Sequence, residues 1–233
     1  MKPQGFLKPQ GFYQVIETLK ILIILVMGNN RIPLESDKFY HIFNHAIGKE
    51  NLFLSCDNYE FFLNKYSIHI EPIADTLAYC LMPNHFHFIV RIKESPIDIS
   101  SEAYPAFSEF DNLKRESLYL SHIFGNLFNS YTKAFNKQQK RRGKLFLDNF
   151  VRIQIDSGKY LKNVIQYVHY NPIHHGFSNS LIEWKFSSFK NFLSNKDTFI
   201  KRDEVIELFD NLEGFLQFHG HEIDKDLILK LET

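Results

Sequence analysis

The segment Leu81-Met82-Pro83-Asn84-His85-Phe86-His87-Phe88-Ile89-Val90 sets two histidines against two phenylalanines in alternation. Alternation at a period of two, after a breaker, predicts a β-strand from His85 to Ile92. Successive side chains leave a strand on opposite faces, so His85 and His87 share one face while Phe86 and Phe88 share the other. The phenyl face has the character of a core, which leaves two imidazoles projecting together from a rigid support. Taken alone, such a pair fits a packed or solvated sheet face as well as a metal site.

The flanking sequence supplies the rest of a sheet. Thr76 to Met82 predicts the preceding strand, joined to the histidine strand by a tight turn at Pro83-Asn84. Further upstream, Phe39 to Asn44 reads as a strand, and Asn58 to Tyr66 as a helix capped by Asp57, with Phe61, Phe62 and Tyr66 at helical spacing. Strand, helix, strand, strand opens an α+β fold: an antiparallel sheet, ferredoxin-like (RRM-like), with helices on one face. Downstream, Glu94 to Asn112 lacks periodicity and reads as a surface insertion. Leu113 to Lys140 follows as a long helix, carrying Leu120, Ile123, Phe124, Leu127, Phe128 and Tyr131 on one stripe. Lys144 to Ile153 suggests a strand or hairpin, and Lys159 to Tyr170 a helix stopped by Asn171-Pro172. Beyond Trp184, weaker helical patterns cover Glu204 to Asn211 and Leu227 to Leu231. The expected organisation is an N-terminal extension over 1–30, one domain over 31–195 with its insertion near 94–112, and a helical tail over 196–233.

Composition sets limits on function. The chain has 233 residues, 44% of them hydrophobic, which is enough for one domain with a substantial core. Its 27 basic and 27 acidic residues cancel, so no global field argues for nucleic acid. The electrostatic case is local: Lys137, Lys140, Arg141, Arg142 and Lys144 cluster after the long helix as candidate phosphate contacts. Aromatic residues at 15% suit strands and also offer rings for base stacking. Cys56 and Cys80 lack the spacing of a disulfide framework or a zinc knuckle and fit a reducing cytosol. The apolar run from Leu19 to Met27 falls short of the roughly 20 residues that span a bilayer. Glu17 and the lack of a small-residue cleavage site argue against a signal peptide. The residues before Met27 therefore read as an appendage or a misplaced start.

A second pair of groups lies in Gln166-Tyr167-Val168-His169-Tyr170-Asn171-Pro172. Tyr167 and Asn171 are four apart, so a helix sets a phenol and a carboxamide on one face, one turn from each other. Tyrosine packing and an asparagine helix stop would account for the same residues. Taken together, Met82 to Val90, Gly143-Lys144-Leu145-Phe146, and Tyr167 to Pro172 with Gly176 closely resemble the single-tyrosine HUH transposases. The REP-associated tyrosine transposase type is the variant most similar, over about Phe39 to Phe192.

The resemblance implies a metal-dependent enzyme that cuts and rejoins single-stranded DNA through a 5′-phosphotyrosine. It implies Tyr167 as nucleophile, with His85, His87 and Asn171 holding a divalent Mg²⁺ or Mn²⁺. Its partner would be hairpin-containing single-stranded DNA, with a homodimer left open, no membrane, and a cytoplasmic, nucleoid-associated location. Tyr160 and Tyr170 stand near enough in sequence to compete for the nucleophile's role. Where relatives often have arginine after Asn-Pro, this chain has His174-His175. Two other readings stay open: a non-catalytic hairpin DNA or RNA binder of the same fold, and a zinc protein using His85, His87 and His174 or His175.

Overall fold

The histidine strand pairs on both sides. The computed structural model describes residues 32–94, 112–147 and 149–223, with Ile228 and Leu231. The N-terminal extension, the insertion apart from Glu94 and Asn112, and most of the Leu227–Leu231 pattern lie outside the described residues. Strands β1 (Phe39–His45), β2 (Ala74–Leu81), β3 (His85–Ile92) and β4 (Val151–Ile155) form one sheet in the order β2-β3-β1-β4. All three pairings are antiparallel, and the β1–β3 register sets His45 opposite His85 and Phe43 opposite His87. With helices α1 (Cys56–Ile70) and α2 (Asn112–Gln138), the chain order is β-α-β-β-α-β, an interleaving of two split β-α-β units.

The phenylalanine face is the core, as the alternation predicts. Phe88 stacks on Tyr66 of α1 with ring centroids 4.0 Å apart, and Phe86 lies 5.3 Å from Phe62 of α1 and 5.6 Å from Phe128 of α2. Tyr66 is fully buried, and its hydroxyl meets Thr76 Oγ1 at 2.8 Å, so the ring enters the core with its polar end satisfied. Phe88→Ala should therefore destabilise the fold by about 3–5 kcal/mol. Urea unfolding would test this, and a loss below about 1 kcal/mol would show that this aromatic layer does not carry the fold.

Helices α1 and α2 cover one face, and α3 (Gly158–His174) takes the other. Helix α3 continues through Pro172 to His174, three residues past the expected stop at Asn171. Pro172 lies in the last turn, where it forgoes one i→i−4 bond to the Val168 carbonyl without ending the helix, and Gly176 at φ 71° then terminates it. The Gly176 and Phe177 amides donate to the Ile173 and Pro172 carbonyls, a glycine-terminated C-cap. Two smaller boundaries also move. Ser55, in extended conformation, takes the cap position of α1 and Asp57 falls in its first turn, while Phe146 makes an isolated bridge to Ala46 instead of a hairpin with β4.

The C-terminal third closes the β2 edge. Ser187 bridges Cys80, Ile200 bridges Thr76, and the Tyr79 amide donates to Ser188 Oγ. Helices α4 (Phe189–Phe192), α5 (Arg202–Leu208) and α6 (Leu212–His219) follow. A buried chain of hydrogen bonds ties them to α3. The Phe215 carbonyl can only accept, so His219 Nδ1–H donates to it, and His219 Nε2 then accepts from His169 Nδ1 at 2.9 Å. His169 Nε2 in turn accepts from the Ser188 hydroxyl at 2.8 Å. Every ring in this chain is neutral.

Burial lowers the pKa of His219 to about 4 and pushes that of His169 well below the usual range, helped in His169 by the neighbouring His219. Unfolded histidine titrates near pH ~6.5. Stability is therefore full above that pH and declines as the pH falls toward about 4, by up to about 1.4 kcal/mol per pH unit for each group. Urea midpoints should drop between pH 7.5 and pH 5, and equal midpoints would contradict the neutral buried network.

Candidate functional site

Strand β3, strand β1 and helix α3 bring the histidines, tyrosine and asparagine together on the face away from α1 and α2. His85 and His87 are both buried, with ring centroids 5.1 Å apart. Tyr167 of α3 stands edge-on to His87 at 5.5 Å and to His41 at 6.1 Å. One turn later, Asn171 Oδ1 lies 3.0 Å from His85 Nε2. Tyr167 is 1% exposed and Asn171 0%, so the whole constellation lies beneath the surface. Among the described residues, neither Tyr160 nor Tyr170 makes a ring contact with these histidines.

Burial fixes the protonation of the rings. Desolvation lowers His85 to a pKa of about 3, with His45 nearby adding to the effect, and drives His87 well below the normal range. Both are neutral at physiological pH, the form in which imidazole binds metals. A neutral ring carries one N–H, yet both nitrogens of His85 face oxygens: Asn84 Oδ1 at 2.9 Å and Asn171 Oδ1 at 3.0 Å. The exposed Asn84 can turn its amide to donate to Nδ1, which leaves Nε2–H to donate to Asn171 Oδ1. Asn171 Nδ2 is then buried without a partner, and turning that amide over only changes which of its atoms is orphaned. A ring nitrogen and a carboxamide oxygen aimed at one another form a donor set that suits a cation. At His87, Nδ1 contacts His41 Nε2 at 2.9 Å, which leaves Nε2 as the nitrogen available to a ligand.

These residues fit a divalent ion through two imidazoles and one carboxamide. Among the described residues, no group of three or more His, Cys, Asp or Glu side chains is arranged to hold a metal. The zinc reading, which needed His174 or His175 as a further ligand, gains no such cluster. His175 approaches His85 with its ring centroid 5.0 Å away, but it is exposed.

The basic cluster divides. Arg141 is committed to structure: it pairs with Glu50 at 2.6 Å and donates to Asn136 Oδ1 and the Lys144 carbonyl, holding the turn after α2. Lys137, Lys140, Arg142 and Lys144 are exposed along the same turn.

The sequence reading missed the β1 contribution. His41, Phe43 and His45 alternate onto the site face, and His45 stacks on His85 at 4.7 Å. Their alternation was visible in Phe39-Tyr40-His41-Ile42-Phe43-Asn44-His45, but the pairing that lays this strand beside β3 was not.

Comparisons with known proteins bear on the sequence and the fold. No family model matches the chain. A Haemophilus influenzae protein described as a REP-associated tyrosine transposase is 27% identical over 117 residues, covering 49% of this chain and 58% of its own length. The matched region thus spans little more than half of that relative. A solved REP-associated tyrosine transposase bound to a REP hairpin superposes with a TM-score of 0.52 at 15% identity, covering 71% of this chain and 84% of that one. At that identity the likeness speaks for the fold. In sequence and in fold, this chain resembles the REP-associated tyrosine transposases.

Proposed function

We propose that this chain is a metal-dependent transferase of single-stranded, hairpin-bearing DNA, cutting and rejoining strands through a 5′-phosphotyrosine at Tyr167. One observation carries the reading: a single helix presents Tyr167 to His87 and Asn171 to His85, across the sheet face where two neutral imidazoles lie together. The likeness to a transposase and to a hairpin-bound transposase fold supports it.

In the reaction, Tyr167 Oη loses its proton and attacks the phosphorus in line with the departing 3′ oxygen. The new bond is Oη–P, the bond broken is P–O3′, and the 3′ oxygen leaves as a hydroxyl after taking up a proton. One phosphoester replaces another, so a second 3′-hydroxyl can reverse the step and join a new strand without ATP. A tyrosine with its usual pKa of about 10 is a weak nucleophile at neutral pH, so positioning by α3 matters. The edge-on packing of Tyr167 against His87 and His41 fixes the direction of its ring. Bound at His85, His87 and Asn171, Mg²⁺ or Mn²⁺ would offset charge on the non-bridging phosphate oxygens. His41 holds the orientation of His87 from behind, the usual part of an outer-shell partner. Lys137, Lys140, Arg142 and Lys144 lie exposed where they can meet the phosphate backbone.

The burial of Tyr167 favours a second reading, in which the chain binds hairpins without cutting. One experiment separates the two. Labelled single-stranded hairpins from the DNA flanking the gene are incubated with the protein and Mn²⁺ or Mg²⁺ and resolved on a denaturing gel. A metal-dependent adduct supports the transferase, while binding with neither nick nor adduct favours the binder.

A further inference from the structure

Arg152 lies on the outer strand β4 opposite Ile42 of β1. Ile42 faces the helices, so Arg152 points to that side of the sheet and away from His85 and His87. There α2 and the segment leading into β4 leave a cleft of about 590 Å³, lined by Asn44, Asn129, Thr132, Lys144, Phe150 and Arg152 among others. The guanidinium donates from Nη1 to Ser121 Oγ at 2.6 Å and sits 5.4 Å from the centre of the Phe150 ring. Its Nε is buried with no partner. Ion pairs among the described residues engage Arg91, Arg141 and Arg202, but no carboxylate pairs with Arg152. Burial pulls its pKa below the ordinary guanidinium value, an unfavourable setting for a lone cation.

A half-buried guanidinium with a spare N–H and no carboxylate partner among the described residues calls for an anion. The walls say which kind. Phe150 offers a ring for stacking, Asn129 and Thr132 offer hydrogen-bonding groups at a base edge, and the volume suits one nucleotide. The cleft is separated from the histidines by the thickness of one strand. Asn44 lines it, while His45, the next residue, stacks on His85 on the other side. A flexible strand rounding the β4 edge would therefore meet both faces.

We propose that this cleft is a second DNA contact, holding one phosphodiester on Arg152 with its base against Phe150. The identity of the ligand rests on the strand-transferase reading. The test uses the full chain and a fluorescein-labelled dT12 oligonucleotide, with anisotropy titrations from 50 to 200 mM salt. Arg152→Met should weaken binding about tenfold and lower the magnitude of the logarithmic salt slope by roughly 0.7, with Arg152→Lys recovering most of the loss. Asn129→Glu alters an exposed wall position, leaves the fold intact, and should weaken binding severalfold by repelling the phosphate. If Arg152→Met and Asn129→Glu both bind within twofold of wild type with unchanged slopes, the site is refuted. Should the wild type form its adduct under those conditions, the transferase reading survives alone. Weakened binding in both variants with no adduct from any flanking hairpin would keep the site and refute the catalytic reading. No DNA binding by the wild type would refute both.

Discussion

Tyr167→Phe should reduce the covalent protein–DNA adduct at least about a thousandfold while single-stranded DNA binding stays within about twofold. The substitution removes one oxygen and keeps the ring, whose edge contacts with His87 at 5.5 Å and His41 at 6.1 Å hold α3 against the sheet. The exposed cations proposed to meet DNA lie elsewhere and are untouched, so affinity has little reason to change. Mass spectrometry of the wild-type adduct after nuclease digestion should place the nucleotide on Tyr167. An adduct retained at full yield in the phenylalanine variant would move the chemistry to Tyr160 or Tyr170. That outcome would require a large rearrangement, because α3 points Tyr167 at the histidines.

The same experiment addresses access. A phosphate must reach Oη, and Tyr167 is 1% exposed. If the wild type forms adduct, the site opens in solution, and the opening must separate α3 from β3 or move what lies over them. Hydrogen exchange at the α3 amides, with and without a hairpin, would report such a motion as faster exchange in the bound state.

How much of this was legible in the sequence follows from where the information lies. The β3 strand was readable to the residue, because His-Phe-His-Phe alternation is local and the Pro83-Asn84 turn fixes its start. The one-turn spacing of Tyr167 and Asn171 was equally local, and α3 presents both to the sheet. The end of α3 was misjudged because a proline reads as a stop, whereas the capping geometry at Gly176 decides the matter. Two parts of the site required tertiary pairing. His41 and His45 matter only because β1 lies beside β3 in one particular register, and Arg152 only because β4 is the outer strand with its odd partner facing the helices. Helix α6 was missed for a similar reason: its short stretch Leu212–His219 gains its place from the buried His169–His219 contact, which no nearby residue announces.

His85→Gln tests the metal site by comparing the protein with and without the ion. Without metal, neutral His85 donates from Nε2 to Asn171 Oδ1 and can accept at Nδ1 from the turned amide of the exposed Asn84. A glutamine amide can also donate a hydrogen bond to Asn171 Oδ1, so the metal-free variant should melt close to the wild-type temperature. With metal the two should part. A divalent ion at a concentration about a hundred times its dissociation constant adds roughly 2.7 kcal/mol to a protein that binds it only when folded, which is several degrees in a chain of this size. Wild type should gain that shift with Mn²⁺ and lose it with EDTA. The variant, lacking the imidazole, should gain little, and its adduct yield should fall by about a hundredfold or more. Melting curves of both proteins with Mn²⁺ and with EDTA separate the possibilities. Equal Mn²⁺ shifts would remove His85 from the ligand set, and a metal-free variant several degrees less stable than wild type would show that His85 serves chiefly to pack the sheet face.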